Sequence, residues 1–263
     1  MTALERRFAT AQALAAAAGA LAMRMRPVRG GTGGISAGIS LKSAQDWLTE
    51  ADGAVERFLS EQLATAFPED GFQGEEGGHT RDGKLRWVVD PIDGTSNYAH
   101  GGARFCVSLA LVEDRTPLLG VLVAPAMGEA FAARAGHGAT LNQQSIQAAA
   151  TDNLGTAIIE VGWNMRHTDA DFLGLLGRIR AAGAAPRLGG SGAMGLADVA
   201  AGRLDAYVEL HIHLWDCAAA IVICQEAGAA VSPFMAGDGP VTGGPILAAA
   251  PGIALAMTGI GGF

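Results

Sequence analysis

The feature that most constrains the fold is a change of pattern near residue 145. Before it, "VSLALVEDRTPLLGVLVAP" (107–125) reads as two apolar strands joined by a polar turn, and "GEAFAARAGHGATLN" (128–142) as another strand and turn. This predicts antiparallel sheet. After it, "TAIIEVGW", "ADFLGLLGRIRAAG", "AMGLADVAAGR", "DAYVEL" and "WDCAAAIVICQEAG" run strand, helix, helix, strand, helix. Such alternation calls for helices covering a sheet. Residues 1–145 are therefore read as an α+β half and 146–263 as an α/β half, joined softly in one compact body. With 263 residues, 49% hydrophobic and 17% charged, the chain can bury a sizeable core. Its 38 glycines, about twice the average share, predict many tight turns.

Leu4, Phe8, Ala11, Ala15, Ala18, Ala22 and Met25 recur at helical spacing. The stretch from Phe8 to Met23 is uncharged and follows Arg6 and Arg7, as in a signal peptide, but it is mostly Ala and amphipathic. An ordinary first helix is expected. A glycine-rich connector, "RGGTGGISAGIS" (29–40), is expected to be mobile. A second helix is expected from about Asp46 or Thr49 to Ala66, stopped by Pro68 and Gly71. The uncharged stretch from Gly239 to Phe263 holds too much Gly and Pro for a membrane helix.

A formal charge of -8 disfavours a protein that neutralises phosphate backbones, so no direct nucleic-acid contact is expected. Cys106, Cys217 and Cys224 have no metal-type spacing and are odd in number, which suits reduced core thiols and a cytoplasmic location.

The chemistry centres on "WVVDPIDGTSNYAH" (87–100). Trp87-Val88-Val89 reads as the end of a buried strand, and Pro91 disfavours helix at Asp90. Asp90 and Asp93 would then leave a stiff turn together. Asp often simply starts turns. Two carboxylates held close, however, repel unless a cation sits between them, and Mg2+ is the usual occupant of such oxygen sites. Both readings fit the segment alone. "GFQGEEGG" sets Glu75 and Glu76 among glycines, and Glu76 reads more readily as part of a solvated loop. "DWLTEAD" places Asp46 and Asp52 at a helix start, Asp46 as a cap or surface residue. Asp216 opens a helix, where an acid is favoured by the dipole alone. His211 and His213 form only a weak transition-metal signal.

Taken in order across 46–229, these four blocks resemble the signature set of the inositol monophosphatase family; D-P-I-D-G-T followed by W-D-x-A-A is its specific part. The resemblance implies a layered αβαβα sandwich of the sugar-phosphatase type and a Mg2+-dependent phosphomonoesterase. By position, Glu75, Asp90, Asp93 and Asp216 match the metal ligands, with the main-chain carbonyl of Ile92. Asp52 matches an acid near the weakest metal site, and Gly94 and Thr95 match the phosphate-binding turn. Glu75 with the Thr95 hydroxyl is implied to orient and deprotonate the attacking water. Asp93 and Asp216 also border the substrate, Gly190, Ser191 and Gly192 match the pocket, and Glu209 matches the acid that accepts polyol hydroxyls.

The asparagine of "GTSNY" resembles the inositol branch, Tyr98 replaces the commoner Phe, and "EAGAAVSP" lacks the usual second glycine. Hydrolysis of inositol monophosphate is the expectation, with histidinol phosphate, fructose 1,6-bisphosphate or a nucleotide 3'-phosphate as alternatives. A non-catalytic transcription antitermination partner is the reading from another class. A homodimer and a small phosphate monoester as the binding partner are also implied.

Overall fold

The computed structural model describes residues 1–27, 39–43 and 46–262, without the side chains of residues 39, 42–43 and 46–48. The glycine-rich connector, save its last two residues, lies outside them. The chain begins with α1 (Ala3–Met25), where Thr2 and Glu5 form a capping box. Ala11, Ala15, Ala18 and Ala22 are completely buried along one stripe of it, so the expected helix packs closely through side chains of minimal size. A hairpin of β1 (Ile39–Ser43) and β2 (Asp46–Thr49) leads into α2 (Glu50–Ala66). The helix therefore starts later than the earlier of the two expected positions: Asp46 pairs in an antiparallel ladder, and Thr49 with Asp52 three residues on sets the start.

The first large sheet follows as β3 (Gly71–Gly74), β4 (Gly78–Arg81), β5 (Leu85–Asp93), a short α3 (Thr95–Ala99), β6 (Cys106–Glu113), β7 (Thr116–Ala124), β8 (Glu129–Arg134), β9 (Ala139–Leu141) and β10 (Gln144–Ile146). Its spatial order is β10-β9-β8-β7-β6-β5-β3-β4. All neighbours are antiparallel except β3 and β5.

The second half supplies β11 (Ile158–Val161), α4 (Asp169–Ala181), β12 (Ala185–Arg187), α5 (Gly192–Ala200), β13 (Ala206–Ile212), α6 (Leu214–Glu226), β14 (Ala230–Val231), α7 (Gly239–Thr242), β15 (Gly244–Ala249) and α8 (Ala254–Gly261). The five strands are ordered β12-β11-β13-β15-β14, and β11 runs parallel to both of its neighbours. β12 and the final strand and helices extend the expected pattern.

The burial pattern stacks these elements in layers. α1 and α2 cover one face of the first sheet through Val55, Leu59, Trp87, Val89 and Ile92. α5 and α6 lie between the sheets, joining Val88, Ala110 and Leu122 to Tyr207, Ile246 and Ala248. α4 and α8 close the second sheet with Ile159, Leu175, Ile179 and Met257. The result is the αβαβα order expected, with Asp90 and Asp93 of β5 facing the middle layer.

Candidate active site

Residues 90 and 93 are an odd number apart, so in a regular strand their side chains would face opposite sides of the sheet. The ladder between β5 and β6 prevents this. Asp90 pairs with Ser108 and Asp93 with Cys106, so three steps on β5 match two on β6. The extra residue is a bulge, and it restores parity. Ile92 packs with Trp87 and Val89 towards α1 and α2, while Asp90 and Asp93 both face α5 and α6. The expected turn after Val89 is thus a bulged continuation of the strand. Pro91, having no N–H to donate, fits there.

Glu75 follows β3, which runs parallel to β5, and its N–H donates to Val89 O at 3.1 Å. The loop around it is clamped from α2: the buried Glu56 carboxylate accepts the N–H of Glu76 at 2.9 Å and of Gly77 at 2.7 Å. A Cβ at position 74 would lie 2.2 Å from Glu56 Oε2, so any larger residue there would displace the Glu56 carboxylate from the loop it holds. Sequence reasoning missed Glu56, and it read Glu76 as solvated loop when its backbone is in fact tied down.

Asp216 sits in the first turn of α6 and accepts the His213 N–H at 2.9 Å. Carboxylate oxygens of Glu75, Asp90 and Asp216 come within 4.8 Å of one another. Burial pushes the Asp90 carboxyl well above the usual range, and the charges reinforcing the shift belong to Glu75, Asp93, Asp216 and Asp52. Asp216 is raised in the same way, by burial first and then by Glu75 and Asp93. A set made only of oxygen donors, with like charges crowded out of water, fits a hard divalent cation.

Asp93 has a second task. Its carboxylate accepts the Ser191 hydroxyl and the N–H groups of Ala193 at 3.0 Å and Gly192 at 3.2 Å, at the N-terminus of α5. It stands beside the three-carboxylate cluster, not within it. Burial raises its pKa while these bonds oppose the rise. Ile92 O accepts the Thr95 hydroxyl at 2.9 Å. Gly94 precedes α3 with φ +86, where only glycine is unstrained. Asn97 latches α3 to the pocket loop, donating to the carbonyls of Gly189 at 2.9 Å and Gly190 at 3.2 Å.

A cavity of about 640 Å3 opens over these residues, bordered by Glu75, Asp93, Gly94, Thr95, Gly190, Ser191, Gly192, Glu209 and Asp216. Every substrate residue expected from the sequence therefore borders one cavity. Glu209 is buried beneath the cavity; it accepts the Tyr207 hydroxyl at 2.5 Å and Asn164 Nδ2 at 2.8 Å. Burial pushes its carboxyl up to about 7. Behind the wall, Arg104 bridges Glu160 at 2.7 Å and Asp198 at 2.6 Å, tying β11 to α5.

Asp52 does not border the cavity. It is fully buried, and its Oδ2 accepts the N–H and hydroxyl of Thr49 at 2.8 and 2.6 Å. Its place is the start of α2, from which its charge acts on Asp90. The side chain of Asp46 lies outside the described residues. His211 and His213 meet edge to face at 5.1 Å, and His213 stacks on Trp215 at 4.6 Å. Among the described residues neither belongs to a three-ligand grouping. The three cysteines are buried and unbridged, as expected.

Layered sheets and helices that aim three carboxylates and a glycine-threonine turn into one cleft define a phosphatase of the sugar-phosphatase type. The model of the inositol monophosphatase family matches residues 3–258. An inositol-1-monophosphatase of Rhizobium meliloti (strain 1021) is 36% identical over 223 residues, covering 83% of this chain and 84% of that protein. A protein of Xylella fastidiosa named Nus factor SuhB is 37% identical over 201 residues, covering 76% of this chain and 73% of that protein. A solved inositol monophosphatase from Anabaena superposes with a TM-score of 0.80 at 30% identity, covering 98% of this chain and 96% of that one. The chain belongs to the inositol monophosphatase family.

Proposed function

We propose that this protein hydrolyses inositol monophosphate to inositol and phosphate, with Mg2+ held by Glu75, Asp90 and Asp216 and bordered by Asp93 and the Ile92 carbonyl. The convergence of three carboxylates on one point, the buried Asp90 with the half-buried Glu75 and Asp216, supports this reading above all. Bound there, Mg2+ supplies positive charge against the phosphate dianion and acidifies water.

The chain's own groups do the rest. The Thr95 hydroxyl has its proton committed to Ile92 O, so it offers lone pairs to an incoming water. Glu75, on the same cavity wall, accepts that water's proton as it attacks phosphorus in line with the leaving oxygen. The Gly94–Thr95 turn holds the phosphate. Glu209 accepts hydroxyls of the polyol, and Gly190, Ser191 and Gly192 shape its berth. Asp52 stiffens the α2 end of the site and supports the catalytic carboxylates through the charge it places near Asp90.

The division near residue 145 belongs to the same reading: the first sheet ends at Ile146 and the second begins at Ile158, with α5 and α6 packed against both. We place the protein in the cytoplasm as a homodimer that makes no direct nucleic-acid contact. Unbridged cysteines and the net charge of -8 support the compartment and the ligand class, and no described helix is long and apolar enough to cross a membrane. The similarity to a protein named Nus factor favours one second reading, a binding role in transcription antitermination.

A panel of myo-inositol 1-phosphate, histidinol phosphate, fructose 1,6-bisphosphate and 3'-phosphoadenosine 5'-phosphate, with Mg2+ and with chelator, tests the proposal. Preferred, Mg2+-dependent release from the inositol ester is expected. Release from another ester alone would reject the substrate, and release from none would favour the second reading.

A further inference from the structure

One wall of the cavity lining offers the hydroxyls of a phosphorylated polyol little to bond to. Trp163, Met165 and Leu188 border the cavity there while being 47%, 62% and 61% exposed. Apolar groups left in water at a cleft are costly, and exposed apolar clusters of this kind commonly mark a surface that something covers.

The wall is built, not merely left over. Asn164, between Trp163 and Met165, donates from Nδ2 to Glu209 Oε1 at 2.8 Å and to His211 O at 2.6 Å. Its Oδ1 accepts the Arg166 N–H at 2.8 Å. The loop is thereby tied to Glu209, the residue that would hold the ester's alcohol, and the two apolar side chains flank the tie. Arg166 borders the same cavity. At about 640 Å3 the space falls within the range of sites that enclose drug-sized ligands, more than one six-carbon ring and a phosphate require.

We propose that this wall is a subsite for an aromatic ring carried by the alcohol of the ester, so that the protein takes arylated phosphate monoesters in addition to a bare polyol. The identity of the wall selects an aromatic occupant. An indole face stacks on a ring, a thioether sulfur packs favourably at a ring edge, and a guanidinium lies well over a ring face. An aliphatic tail would gain contact area but none of these three. The inference rests on the reading of this cleft as a phosphate-monoester site.

Calorimetry with excess Mg2+ tests it, using 2-phenylethylphosphonate and ethylphosphonate, which share a headgroup and are not hydrolysed. The wild-type protein should bind the phenyl compound about tenfold more tightly or better, and Trp163→Ser should bring the ratio to within about twofold. Trp163→Tyr should keep most of the preference. A wild-type ratio near one, no binding of the phenyl compound, or a preference that survives Trp163→Ser would overturn the proposal. Because neither ligand turns over, a preference found in a protein that hydrolyses no ester would sustain the subsite and sink the hydrolase reading instead.

Discussion

Glu56 and Gly74 contend for the same space: a methyl group on Gly74 would begin 2.2 Å from Glu56 Oε2. The carboxylate is there because it holds the N–H groups of Glu76 and Gly77, and so α2 fixes the loop that aims Glu75. Gly74→Ala should cost about 1–3 kcal/mol of stability through overpacking. Introducing Glu56→Ala into the same chain should return part of that loss, a coupling of about 0.5 kcal/mol or more in urea unfolding. Strictly additive losses would mean that the two residues do not compete.

Asp90 offers a test of the crowded carboxylates. Asp90→Asn keeps the Oδ1 acceptor for the Ile92 N–H but removes one buried charge. In chelator the variant should melt above the wild type. Mg2+ at about 100 times its dissociation constant should stabilise the wild type by about 2.7 kcal/mol, and the variant far less. A variant that melts lower in chelator and still responds fully to Mg2+ would contradict the cluster.

Glu209 titrates in a useful range. Its folded pKa is raised by burial to about 7 from the ordinary 4.5, so the native state binds its proton more tightly than the unfolded chain does. The stability this contributes is complete below about 4.5 and is lost as pH climbs through about 7. Glu209→Gln should therefore show a shallower fall in stability than the wild type between those values, measured by urea unfolding in chelator. Parallel curves would show that Glu209 does not titrate there.

Arg104 stabilises the wall behind the site. Arg104→Met should cost on the order of 3 kcal/mol, because Glu160 stays buried without its cation. Asp198 fares better, since Arg203 also reaches it at 3.2 Å. Adding Glu160→Gln to the variant should recover stability in thermal unfolding, whereas adding Asp198→Asn should recover less. The reverse order would contradict this assignment of partners.

The layers were largely legible because their signals are local. The alanine stripe of α1 repeats every three to four residues, and the alternation after residue 150 has the length of whole elements. The acidic motif was legible as residue types, but its geometry was not. Nothing in "DPID" reveals that β6 pairs across it with one residue fewer, and that register decides that both carboxylates share a face. Asp52 enters the site by resemblance alone, since what its position shows locally is a helix cap on Thr49. Glu56 looked like any helix acid because its partners lie 20 and 21 residues along the chain. The apolar wall by Trp163 emerges only when its loop folds back onto β13.

In the proposed function, Glu75, Asp90 and Asp216 together hold the cation that makes this cleft a phosphatase. The direct measurement is phosphate release from myo-inositol 1-phosphate across a Mg2+ titration, for the wild type and for Glu75→Gln, Asp90→Asn and Asp216→Asn. Hydrolysis that requires Mg2+ in the wild type and falls by about a hundredfold or more in each variant is the predicted result. Turnover in the variants matching the wild type at saturating Mg2+ would contradict it.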